Sequence, residues 1–240
     1  VPATFLNVLP NAIRWLYRTK ISRQITSFPL KTTIDKTSKV ATLYLHGLQK
    51  KSTQPLLLLH GDHGHPYTML HLADAAAKNY SGTIFSLYMP SEKGYSDISR
   101  SLLEQAIEKI ELMVKSKEGS FSKIVTLGHS KGAIQAAHQA FVEKDERIKS
   151  VISIAGRLKN TQSLDKACHE ILQPTVNEIA QAIITNPDLP LYQIVAENDW
   201  CVPLDASRVN LKNSCVVPGA GHLNVLYRHE TIEAFIKALA

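Results

Sequence analysis

Residues 123–142 read KIVTLGHSKGAIQAAHQAFV. Lys123–Leu127 is a short apolar run with β-branched residues, and Ala133–Val142 carries the apolar spacing of a helix. Gly128-His129-Ser130-Lys131-Gly132 fills the junction between them. A G-x-S-x-G segment arises often by chance, but between a strand and a helix it describes one particular turn. The serine sits at a corner so tight that its hydroxyl projects from the end of the sheet, and the crowded flanking positions accept only very small residues.

Outward from this junction the same rhythm repeats. Upstream, Gln24–Leu30 and Val40–Leu45 read as strands, Gly47 to Gln54 as a turn-like link, and Leu56-Leu57-Leu58-Leu59 as a strand buried on both faces. Met69, Leu70, Leu72, Ala73, Ala76 and Ala77 make a helical stripe, and Thr83–Met89 a strand. Leu102, Leu103, Ala106, Ile107, Ile110, Met113 and Val114 form a strongly periodic helix, supported by a Glu111/Lys115 pair. Downstream, Ile148–Ala155, Leu191–Ala196 and Ser214–Val217 read as strands, and Ile232, Phe235, Ile236 and Leu239 close the chain as a helix. Strands alternating with helices imply a mostly parallel central sheet covered by helices on both faces, and residues 1–240 are expected to form a single α/β domain. Only 157–190 breaks the rhythm. It is expected to be a crossover helix with long flanks or a small lid-like insertion, its Val176–Ile184 stripe favouring core over an acyl-chain groove.

A serine hydroxyl is a weak nucleophile that needs a base, and the base needs an orienting carboxylate. Asp199 stands just past the strand Leu191–Ala196, and His222 just past Ser214–Val217. Serine, acid and histidine thus follow in order at three strand ends, which selects Ser130, Asp199 and His222 as a catalytic triad. Asp188 and Asp205 are rival acids that follow no strand so directly.

With these residues in view the chain resembles the serine hydrolases of the α/β-hydrolase family, esterase- or lipase-like, over roughly residues 24–239. The resemblance rests on His60-Gly61-Asp62-His63-Gly64, Gly128–Gly132, Asp199 with Val202-Pro203, and Gly221-His222. It implies the α/β-hydrolase fold, Ser130 as nucleophile, His222 as general base and then acid, and Asp199 as its orienter. It further implies an oxyanion hole from the backbone N–H groups of Lys131 and Asp62, with His63 the alternative to Asp62. Asp62 departs from the family's usual neutral or apolar residue. Its carboxylate is tolerable if it turns away and repulsive if it faces the oxyanion. The expected reaction is hydrolysis of a carboxylic ester or thioester through an acyl-serine intermediate, with no cofactor and no metal. A peptidase or amidase on the same triad, and a catalytically silent binding protein, are the alternatives.

Blander roles compete for several residues. His60, His63, His65 and His71 with Asp62 have a spacing that could hold zinc, but His60-Gly61 belongs to the resemblance and His65-Pro66 opens a helix. His129 and His138 are expected to be packing or surface residues, Lys131 a surface lysine in preference to one tuning substrate charge, and Cys201 a small packing residue.

The 240 residues are 44% hydrophobic, which excludes a disordered chain, and no stretch approaches 18 uncharged apolar residues. Three cysteines leave the compartment open, with a lean to the cytoplasm, and a chain opening on Val1 leaves open a preceding signal or anchor. The net charge of +6 divides unevenly. Residues 1–55 carry nine Lys/Arg against Asp35 alone, while the remainder holds 18 basic and 20 acidic residues. A slightly acidic body argues against nucleic acid as partner. Residues 1–23 are expected to form a basic helical arm. Phe5, Leu6, Trp15, Leu16 and Tyr17 beside Arg14, Arg18, Lys20 and Arg23 suit either packing on the sheet or peripheral contact with an anionic membrane. The expected partner is a small-molecule ester, a lipid among the candidates, with acyl-chain length and oligomeric state unspecified.

Overall fold

The structure is a computed structural model that describes residues 25–34, 37–46, 53–90, 96–160, 166–210 and 212–240. The expected basic arm at 1–23 lies outside the described residues, as does most of the link after Gly47.

Eight described strands form one sheet: β1 (Ile25–Ile34), β2 (Thr37–His46), β3 (Leu56–Leu59), β4 (Ile84–Tyr88), β5 (Ile124–His129), β6 (Ile148–Ile154), β7 (Leu191–Ala196) and β8 (Ser214–Val217). Their order across the sheet is β1-β2-β4-β3-β5-β6-β7-β8. Only β2 runs against its neighbours; every pairing from β4 to β8 is parallel. Parallel strands need crossovers, and these carry helices: α1 (Leu70–Asn79), α2 (Asp97–Glu118), α3 (Lys131–Ala137), α4 (Lys166–Thr185) and the single turn α5 (Leu204–Ser207); α6 (His229–Leu239) follows the last strand.

Alternation along β3 sorts the core. Leu56 and Leu58 point to the face covered by α1 and α6, and Leu57 and Leu59 to the face covered by α2, α3 and α4. All four are almost completely buried, as an uninterrupted apolar run requires of a central strand. The α2 stripe lies in the core as its periodicity demanded, and Lys115 reaches Glu111 at 2.6 Å. Ser96 Oγ accepts from the Ser99 N–H at its start, and Gly119, at φ 75°, takes the left-handed turn that ends it.

Helix α4 occupies most of the 157–190 insertion. Its Val176, Ile179 and Ile183 are buried in the same core as α2, so this stripe packs on the sheet face, while Ile184 is exposed. The helix after β5 starts at Lys131, two residues earlier than its apolar pattern suggests, because Ser130 already turns the chain. It closes in a wider π turn at His138–Val142. His138 is buried there between Glu178, at 3.2 Å, and Glu143, at 3.6 Å, fastening the turn to α4.

Candidate active site

Because β3, β5, β7 and β8 are parallel, the loops that follow them share one edge of the sheet. That edge carries Asp62, Ser130, Asp199 and His222 respectively.

Ser130 has φ 53° and ψ −118°, a conformation that a residue with a Cβ adopts only under constraint. The constraint is visible on both sides. Its N–H is bonded to Ile154 O at 2.9 Å, and its carbonyl accepts from Ala133 N at 3.0 Å. The small flanking residues are sterically required: a Cβ on Gly128 would overlap the backbone of Gly132 and Ala133, and one on Gly132 would overlap Leu59 O.

His222 Nε2 lies 2.9 Å from Ser130 Oγ, and His222 Nδ1 lies 2.8 Å from Asp199 Oδ2. A carboxylate only accepts, so Nδ1 carries the proton and Nε2 is left to receive the serine hydrogen. The other Asp199 oxygen accepts from the N–H groups of Cys201 and Val202, both at 2.8 Å. With its side chain only 1% exposed, Asp199 is thereby held in one orientation. The rival acids Asp188 and Asp205 are exposed, and the histidine meets Asp199 instead. Such a relay can take a hydroxyl proton at one end and steady the resulting imidazolium at the other.

Two further histidines brace the site. His60 donates from Nδ1 to Gly61 O at 2.7 Å and accepts at Nε2 from Met89 N at 3.0 Å, so one neutral tautomer pins the loop after β3 to the end of β4. Burial lowers its pKa below the ordinary value. His65 caps the turn Pro66–Met69 through Nδ1. Ring nitrogens of both residues in the zinc-like spacing are thus engaged by the backbone, and among the described residues no group of three or more His, Cys, Asp or Glu could hold a metal ion.

His129 is buried, donating from Nε2 to the backbone O of His222 at 2.8 Å, with the two rings 5.0 Å apart. Its pKa is pushed down to about 4, chiefly by burial and next by the neighbouring His222. The packing role expected of it is therefore specific: it fixes the backbone from which His222 projects. No local pattern announces this, because the contact joins the end of β5 to a loop 93 residues away.

Lys131 corrects an expectation. It is 8% exposed, no surface lysine, and its Nζ lies 3.4 Å from Asp62 Oδ1. The Asp62 side chain remains half-exposed. Its charge is thus matched by the residue next to the serine, which the sequence could not show without knowing that β3 and β5 are neighbours. Asp62, Met89, Lys131 and Gln135 line a small cleft beside the site. Trp200, unremarked by sequence reasoning, stands edge-on to His222 with ring centroids 6.3 Å apart.

The sequence matches no protein-family model and no curated protein. The fold has solved counterparts. An esterase from Pyrobaculum calidifontis superposes with a TM-score of 0.65 at 15% identity, over 94% of this chain and 84% of that one. A bromoperoxidase from Bacillus anthracis gives 0.63 at 15%, over 88% and 99%. Est1E from Butyrivibrio proteoclasticus gives 0.60 at 14%, over 88% and 96%. At such identities the likeness is one of architecture, and it agrees with the strand order and the single reversed strand β2. The chain has the α/β-hydrolase fold.

Proposed function

We propose that this protein is a serine hydrolase that cleaves a carboxylic ester, or a thioester, through an acyl-Ser130 intermediate. The observation that carries this reading is the continuous relay Asp199–His222–Ser130, with its two contacts at 2.8 and 2.9 Å. Ser130 Oγ attacks the carbonyl carbon as His222 Nε2 takes its proton. The tetrahedral oxyanion is received by the backbone N–H groups of Lys131 and Asp62, each such donor contributing on the order of 10²–10³ in rate. His222 then delivers the proton to the leaving oxygen or sulfur, and the bond from carbon to that atom breaks. Water, activated by the same imidazole, releases the acid and restores Ser130. Asp199 holds the productive tautomer throughout. Structural likeness to esterases from three organisms supports ester hydrolysis.

A fluorophosphonate probe tests the proposal. The expected result is covalent labelling of the wild-type chain and none of Ser130→Ala. An unlabelled wild type, or labelling that survives the substitution, refutes it. p-Nitrophenyl esters of rising acyl length then separate short-chain esterase from lipase behaviour, and an anilide counterpart reports amidase activity.

A further inference from the structure

Two of the exposed large apolar side chains among the described residues flank the proposed base. Trp200 is 81% exposed and Leu223, the residue after His222, is 62% exposed. Tryptophan is ordinarily well covered, and neither side chain contributes to the two cores. Nor are they held loosely. Trp200 lies in the turn whose next two N–H groups bind Asp199 Oδ1, and Asn198 N is bonded to Ala220 O at 2.8 Å, tying the loops after β7 and β8 together. The turn bearing Leu223 is closed by Gly221 N on Asn224 Oδ1 at 2.6 Å and Val225 N on Gly221 O at 3.1 Å. Both side chains therefore project from backbone that is fixed in place, which lessens the ordering cost when a ligand settles on them.

Sheet order says which part of a substrate meets them. Ser130 follows β5; Asp62 follows β3 on one side of it, and Trp200, His222 and Leu223 follow β7 and β8 on the other. In the tetrahedral intermediate the oxyanion turns toward the Asp62 side. The leaving oxygen must lie within reach of His222 Nε2, because the proton from Ser130 goes to it. The group borne by that oxygen then extends past His222. The opposite rim is polar, with Asp62 half-exposed and His63 largely exposed.

We infer that Trp200 and Leu223 seat the leaving group, and that the substrates are esters of uncharged apolar alcohols, aromatic ones preferred. Trp200 is thus a specificity-determining residue. The inference rests on the ester hydrolysis proposed above. By microscopic reversibility the same seat admits an acceptor alcohol: its hydroxyl attacks acyl-Ser130, gives its proton to His222, and Ser130 Oγ leaves and regains a proton as the new ester forms.

The test compares wild type with Trp200→Ala and with Leu223→Ser on two ester sets. Methyl and benzyl acetate vary the alcohol at similar leaving-group acidity; methyl acetate and methyl butanoate vary the acyl chain. For wild type, kcat/KM is expected to be higher for benzyl than for methyl acetate. In Trp200→Ala the benzyl-to-methyl ratio falls on the order of tenfold, the scale of one lost aromatic contact, while the butanoyl-to-acetyl ratio holds. Leu223→Ser lowers the first ratio in the same direction. When benzyl alcohol competes with water for the acetyl-enzyme, the yield of benzyl acetate over acetate drops by a similar factor in Trp200→Ala. Equal ratios in wild type and Trp200→Ala, or a change confined to the acyl set, overturn the inference. Fluorophosphonate labelling separates the two failures. If the chains are labelled and cleave both acetates without discrimination, only the leaving-group seat is refuted; if wild type is neither labelled nor active, the hydrolase reading fails and the seat with it.

Discussion

Replacing His129 by Gln tests whether a buried neutral imidazole makes this fold acid-sensitive. The folded chain holds the His129 pKa down at about 4, against an ordinary 6.5. The cause is burial first, then repulsion from His222; Asp199 opposes the shift and His60 adds to it weakly. Between the two pKa values the unfolded chain is protonated at this position and the folded chain is not. Unfolding then takes up a proton, so stability rises with pH across that window and is lost as pH falls through it. The gap corresponds to on the order of 3 kcal/mol once both states are protonated. A glutamine amide can donate to His222 O as Nε2 does, yet has no proton to gain. At about pH 7.5 the variant should be somewhat less stable than wild type, from imperfect packing against Gly61, where even a Cβ would come within 2.9 Å of His129 Nδ1. On going to about pH 4 that deficit should shrink or reverse by roughly 3 kcal/mol. His46 and His65 are also held near 4 by burial, so both proteins weaken in acid, and only the difference between them isolates His129. Urea unfolding at several pH values measures that difference. Parallel stability–pH curves for the two proteins would refute the argument.

Two other substitutions address the relay and its neighbour. In Asp199→Asn the remaining oxygen can still accept from Cys201 and Val202, turning the amide NH2 toward His222 Nδ1. That forces the proton onto Nε2, and kcat for an ester should fall about 10⁴-fold with the fold intact, as thermal unfolding would verify. Lys131→Met leaves the Asp62 carboxylate without the ammonium now 3.4 Å away. The added negative potential beside the oxyanion should lower kcat/KM on the order of tenfold, with partial recovery in Asp62→Asn/Lys131→Met; steady-state kinetics of the single and double variants provide the cycle.

The layer architecture was legible because β3 and α2 follow single-period patterns that burial on a sheet dictates, and Leu56–Leu59 and the Leu102–Val114 stripe lie where those patterns require. Ser130, Asp199 and His222 were legible as a group because each lies just beyond a readable strand, and parallel strands deliver their ends to one edge. What escaped depends on lateral neighbours. The Lys131–Asp62 pair spans β3 and β5, His129 touches His222 across 93 residues, and His60 reaches Met89 across 29. A one-dimensional pattern carries strand identity far better than strand adjacency. The early start of α3 was missed for a local reason: the helix begins directly after the Ser130 turn, and Lys131 and Gly132 at its head lack the apolar periodicity that sets in later.

Under the role proposed for it, the backbone of Ser130 sets reactivity against durability. At φ 53° a residue with a Cβ pays roughly 1–2 kcal/mol that glycine does not. Even after glycine's larger entropy loss on folding, Ser130→Gly should melt no lower than wild type, while reacting with no fluorophosphonate. Selection for thermal endurance alone, as in a laboratory screen of random variants by melting temperature, would then drive this chain toward inert sequences. A programme to harden the protein has to monitor turnover in parallel and spare position 130 from the outset.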